Sequence, residues 1–155
     1  MKLSKNKVKL LRECFDLSSP QKVDRFEEIL FSIKTDKQKD LSILPELYEF
    51  FSDEVDDYII FALIHTVESF PEPESTQCFL GNIEKIYNRS AEWTTVLFLR
   101  IINNEKSLKI LKDNLYFGNK ETLIKITDNI LRDKYCNEKQ REIAFKLKED
   151  IRNIV

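Results

Sequence analysis

Few residues in this chain are of types that do chemistry. There is one histidine, His65, and there are three cysteines, Cys14, Cys78 and Cys136. A single histidine excludes di-histidine metal sites such as H-E-x-x-H. The cysteines are odd in number and far apart, and none forms a C-x-x-C pair, so neither a disulfide framework nor a zinc site is expected. Each reads as a small apolar residue in a reducing compartment. No spacing supports a Cys–His dyad, and no G-x-S-x-G or kinase motif occurs. His65 sits in Ala62-Leu63-Ile64-His65-Thr66-Val67, an apolar helical stretch, and reads as a partly buried structural histidine.

Carboxylates remain. Asp53, Glu54, Asp56 and Asp57 place four of them within five residues. Such a set can hold Mg²⁺ or exchange protons where a pocket encloses it. Nothing else in the sequence marks a pocket, so no catalytic residue, metal or cofactor is expected. The cluster is the peak of a wider asymmetry. Residues 44–92 hold 11 acidic and 2 basic side chains, net −9, whereas 1–43 carry net +3 and 93–155 net +4. Direct nucleic-acid binding is not expected from such a chain, because its middle repels phosphate and its basic flanks are mixed with acids.

One reading of the cluster is a solvated helix start, where the macrodipole favours negative charge by ~0.3–1 kcal/mol per group. Four adjacent carboxylates repel one another more than a cap requires, however. Glu72 and Glu74 also read as lying beyond the far end of the same helix, where the dipole gives them nothing. A concentrated negative field steers basic partners and speeds association. The expected partner surface is therefore Asp53, Glu54, Asp56 and Asp57 at the centre, with Glu49, Glu72 and Glu74 at the rim. Tyr58 and Trp93 are its candidate aromatic anchors, and Tyr48 is a further aromatic expected to be partly exposed.

The elements that must position these residues read as helices. The chain has 155 residues with only two glycines and four prolines, 42% hydrophobic residues and 11 phenylalanines. That suits a single helical domain with a real core and argues against Rossmann, P-loop and β-sandwich folds. Apolar residues recur at helical spacing almost end to end. Helices are expected over about 5–17, from Ser19-Pro20 to Ile33, over 43–51, from a Ser52-Asp53 cap to Ser69, and over 75–88. Others start at Ser90, span 105–115, follow Phe117-Gly118-Asn119, and open on an Asn137–Gln140 capping box. Pro71 and Pro73 read as a stiff break between helices.

The result is an all-α fold of about nine helices in antiparallel hairpins. It is either a small right-handed stack of the HEAT or TPR kind, suggested by faint similarity at an offset of 36 between residues 47–63 and 83–99, or an irregular bundle. The longest apolar run, Tyr58–Ile64, is far short of the ~20 residues of a membrane span. No apolar stretch follows the basic start Met1–Lys7, so a cytoplasmic protein without a secretory signal is expected.

The stretch Leu47-Tyr48-Glu49-Phe50-Phe51-Ser52-Asp53-Glu54, the apolar helix after it, and Ser90-Ala91-Glu92-Trp93 leading to Leu99-Arg100-Ile101-Ile102-Asn103 resemble the all-helical immunity proteins of bacterial polymorphic-toxin and contact-dependent inhibition systems. The resemblance covers roughly residues 40–135. It implies a stoichiometric inhibitor that binds a cognate toxin domain and blocks its active site or substrate path. The toxin would be a nuclease with a basic surface, and the acidic face would stand in for the nucleic-acid backbone. Two other readings compete: a helical-repeat adaptor for a basic peptide or protein, and a Mg²⁺ enzyme built on Asp53–Asp57.

Overall fold

Local capping chemistry decides where most of the helices begin. The computed structural model describes residues 2–154. Among the described residues there are nine α-helices and no strand. They are α1 (Lys2–Cys14), α2 (Pro20–Thr35), α3 (Leu44–Tyr48), α4 (Asp57–Val67), α5 (Glu72–Arg89), α6 (Ala91–Ile102), α7 (Glu105–Asn114), α8 (Lys120–Arg132) and α9 (Glu138–Arg152). Short 3₁₀ turns at Leu41–Ile43 and Leu115–Phe117 lead into α3 and follow α7.

The Ser19 hydroxyl accepts from the Lys22 amide and Pro20 takes the first helical position, as the sequence predicts. Asn119 accepts from the Thr122 amide at 2.9 Å. Asn137 and Gln140 form a reciprocal capping box, with bonds of 2.8 and 2.9 Å. At the end of α2, the Lys39 ammonium donates to the carbonyls of Ile33 and Lys34, the first of which also accepts from the Asp36 amide.

Several boundaries differ from the sequence reading. The first helix ends at Cys14, and Leu17 turns the chain in the left-handed region at φ 50°. The expected helix over 43–51 shrinks to α3 and its 3₁₀ lead-in. Pro73 breaks nothing: it lies in the first turn of α5, where its missing N–H would have no helical partner in any case.

The chain divides into two compact units, Met1–Ser75 and Thr76–Val155, with the boundary inside α5. In the first unit α1 packs on α2, and α2 packs on α4. Leu11, Leu30, Leu47, Ile59 and Leu63 are buried there. Phe15, Phe26 and Phe50 form an aromatic cluster. The Phe50 ring stands edge-on to both neighbours, at centroid distances of 5.0 and 5.6 Å.

In the second unit α6 packs on α7 and α8, and α8 packs on α9. Phe98, Leu111, Leu123, Ile130 and Leu147 form its core. Asn129 of α8 donates to the Tyr87 hydroxyl at 3.2 Å and the Thr95 hydroxyl at 3.4 Å, tying α8 to α5 and α6. Gln77 donates to Asn114 at 2.9 Å. Lys148 of α9 pairs with Asp128 of α8, both largely screened from solvent.

Candidate partner-binding surface

The acidic cluster stands on a turn and a helix start. Phe51 and Ile59 are fully buried on either side of it and hold the segment between them at the surface. The Ser52 hydroxyl accepts from the Glu54 amide at 3.2 Å, and the Ser52 carbonyl accepts from the Val55 amide at 3.4 Å, which closes the turn. The helix then starts four residues later than the expected Ser52-Asp53 cap. Asp56 is the N-cap of α4, but it makes no side-chain capping bond. Its carbonyl alone accepts from Ile59 and Ile60.

Asp53, Glu54, Asp56 and Asp57 are all exposed, and only Asp57 belongs to the first helical turn. The helix dipole, which fades within about one turn, therefore accounts for less of this charge than a cluster wholly inside a helix would allow.

Tyr58 follows, half exposed at 50%. Its phenol is pushed above its ordinary value, first by partial burial and then by the carboxylates of Glu27, Asp56 and Asp24. Glu27 and Asp24 belong to α2, so the packing of α2 on α4 brings two more acids to the cluster. Sequence reasoning missed both, since 30 residues of chain separate them from it. Phe61 was also missed. It is 42% exposed, although it lies in the run Tyr58–Ile64 that reads as buried. The available signal was its spacing: Tyr58, Phe61 and His65 share one stripe of α4, which its C-cap Glu68 continues. His65 is exposed on that stripe, not partly buried, and its Nδ1 lies 3.5 Å from a Glu68 carboxylate oxygen.

The remaining expected site residues have other roles or other surroundings. Glu49 is 2.8 Å from the Arg12 guanidinium, which also reaches Glu46 at 3.1 Å. The hydrogen bonds that Arg12 donates to Glu46 and Glu49 hold its guanidinium above its ordinary value. Glu72 and Glu74 occupy the first turn of α5, not the far end of α4. The dipole favours them there, contrary to the sequence expectation. Tyr48 is buried, not partly exposed. Trp93 lies in the second unit at 8% exposure, with its amide donating to the Ser90 cap. Its bulk belongs to the core, and the other eight residues lie in the first unit.

Among the described residues no group of three or more His, Cys, Asp or Glu side chains is arranged to hold a metal ion. The cysteines are free thiols. Burial pushes Cys78 up to about 11 against an opposing contact from Asn82, and burial also raises Cys136. Such thiols are poor nucleophiles near neutral pH. No helix among the described residues is long and apolar enough to cross a membrane.

Comparison with known families finds a match over residues 13–111, well over half of the chain, to the family described as immunity protein 30. The matched segment contains the whole 53–58 cluster together with α2 and α4. No curated protein and no solved structure matches the chain.

Proposed function

Because the chain belongs to the immunity protein 30 family, of the polymorphic-toxin type, we propose that it neutralises its cognate toxin by covering a basic surface with the acidic face of its first unit. Asp53, Glu54, Asp56 and Asp57 form the centre of that face, and Tyr58 is its anchor. Glu49, Glu72 and Glu74 stand at its rim and add to the field. The observation that carries this reading is the run of four exposed carboxylates at 53–57, inside the family-matched segment, on a turn that does not use Asp56 as a side-chain cap. Charge of this density repels itself and costs stability, so a fold does not gain from keeping it. A basic partner repays that cost through faster encounter and paired charges.

A toxin with a basic substrate surface is a nuclease or another enzyme acting on polyanions. The bound immunity protein then occupies the path of the nucleic-acid backbone. It works in the cytoplasm of the producing cell, as a stoichiometric binder without turnover of its own. The test uses the toxin domain encoded directly upstream. Asp→Lys and Glu→Lys reversals at 53, 54, 56 and 57 are assayed for affinity and for protection against that domain, with helical content followed in parallel. Affinity should fall and its salt dependence should shrink. Unchanged affinity in a folded quadruple variant would reduce the cluster to a solvated turn.

A further inference from the structure

Two packed helices carry exposed aromatic rings beside the acidic turn. On α2, Glu27, Glu28 and Phe31 lie three, four and seven residues after Asp24, which is one face of a helix. Phe31 on that stripe is 65% exposed. On α4 the corresponding outward stripe holds Tyr58 and Phe61, 50% and 42% exposed. The helices pack directly, and the carboxylates of Glu27, Asp24 and Asp56 act on the Tyr58 phenol. Asp24 and Glu27 thus lie on the stripe of Phe31 on α2 and act across the packed helices on Tyr58 of α4.

We propose that Phe31, Tyr58 and Phe61, ringed by Asp24, Glu27 and Asp56, form one docking surface that seats an arginine-bearing, apolar-centred segment of the cognate toxin. The proposal rests on the neutralisation reading and specifies its contact.

The ring of carboxylates selects the occupant by charge. A second copy of this chain would bring the same acids against one another, and an acidic partner would do the same. Arginine suits the surface better than lysine. Its planar guanidinium stacks on an aromatic face and takes a carboxylate through two parallel hydrogen bonds, whereas an ammonium is a compact, strongly hydrated point charge. Aromatics with few rotatable bonds lose little entropy on docking, and desolvated Tyr and Arg anchors dominate many interfaces. The roles then separate. The rings hold the partner once it is seated, and the carboxylates bring it in.

The experiment measures association and dissociation rates of the toxin domain encoded directly upstream, against immobilised immunity protein at low and physiological salt. Phe31→Ala, Tyr58→Ala and Phe61→Ala are compared singly and together with wild type. Phe145→Ala serves as control, being an exposed ring on α9 of the second unit. Thermal melts verify the fold of each variant. Tyr58→Ala should weaken binding at least tenfold, mostly by faster dissociation, and the triple variant at least a hundredfold. Phe145→Ala should stay within twofold. Asp24→Asn with Glu27→Gln should slow association several-fold at low salt and change dissociation little.

A folded triple variant that binds like wild type would overturn the docking surface and leave the neutralisation reading standing. Wild-type protein that fails to bind the toxin domain would overturn both. A dimer of the free protein that is lost in Tyr58→Ala would assign the surface to self-association and so refute the proposal.

Discussion

Glu49 and Asp56 carry the same charge but do different physical work, and stability measurements can separate them. Arg12 lies 2.8 Å from Glu49 and 3.1 Å from Glu46, and its guanidinium carbon is 5.8 Å from the centroid of the Phe50 ring. The three charged side chains are between a third and a half exposed, so each ion pair is on the scale of exposed pairs, ~0.2–1 kcal/mol. The contact over Phe50 adds ~0.5–1 kcal/mol. Arg12→Ala should therefore cost about 1–2 kcal/mol, because it removes both pairs and the ring contact and leaves two carboxylates facing each other. Glu49→Gln leaves Arg12 on Glu46 and should cost about 0.5 kcal/mol or less.

Neutralising Asp53, Glu54, Asp56 and Asp57 together should change stability less than that single arginine substitution. Asp57 lies in the first helical turn and has a dipole contribution of ~0.3–1 kcal/mol to lose, and relief of mutual repulsion among the four carboxylates offsets it. Urea unfolding at neutral pH, at low and physiological salt, gives these differences directly. A double-mutant cycle on Arg12 and Glu49 isolates their pairing. A quadruple variant destabilised by more than about 2 kcal/mol, against the ~1 kcal/mol ceiling of the dipole contribution, would refute the reasoning, because the cluster would then be holding the fold.

Other outcomes follow from local geometry. Gly81 lies exposed inside α5, and nothing lies within 4 Å of where a Cβ would go, so Gly81→Ala should stabilise by ~0.5–1 kcal/mol in the same unfolding assay. Asn137→Ala removes the bond from the Gln140 amide to the Asn137 side chain, leaving the residue-137 amide to donate to Gln140, and should cost ~0.5–2 kcal/mol and fray the start of α9, as read by amide hydrogen exchange. Asp16 is held down to about 2 by hydrogen bonds from Lys22 and from the Ser18 amide and hydroxyl. Its folded value lies below its unfolded one, so its contribution is complete above about pH 4 and is lost as pH falls towards 2. The stability gap between wild type and Asp16→Asn should close over that window. A gap that persisted at pH 2 would contradict the pairing.

Much of the fold was legible because helix starts are local. Ser19 before Pro20, Asn119 after Gly118, and Asn137 three residues before Gln140 each satisfy orphan amides within one turn, so sequence alone locates them. Boundaries set by tertiary fit were not legible. The sequence offers Ser52-Asp53 as a cap, but buried Phe51 and Ile59 need a turn between them, and the helix waits until Asp57. Pro73 looks like a breaker until its place in a first turn is known, and that place moves Glu72 and Glu74 from an unfavourable helix end to a favourable start.

The cluster at 53–57 was visible as composition. Its surroundings were not, since Asp24 and Glu27 arrive only through the packing of α2 on α4. Aromatic exposure was read least well. Tyr48 and Trp93 lie beside acids in sequence yet turn inward, whereas Phe61 sits in an apolar run yet faces solvent on the stripe of Tyr58 and His65.

Titration of the upstream-encoded toxin domain with this protein tests the neutralisation reading most directly. Complex mass is followed by light scattering, and residual toxin activity is measured on the same samples. Neutralisation by surface coverage predicts a one-to-one complex and activity that falls linearly to zero at equimolar protein, with affinity weakening as salt rises. Full toxin activity in the presence of excess folded immunity protein, or inhibition that is catalytic and not stoichiometric, would contradict it.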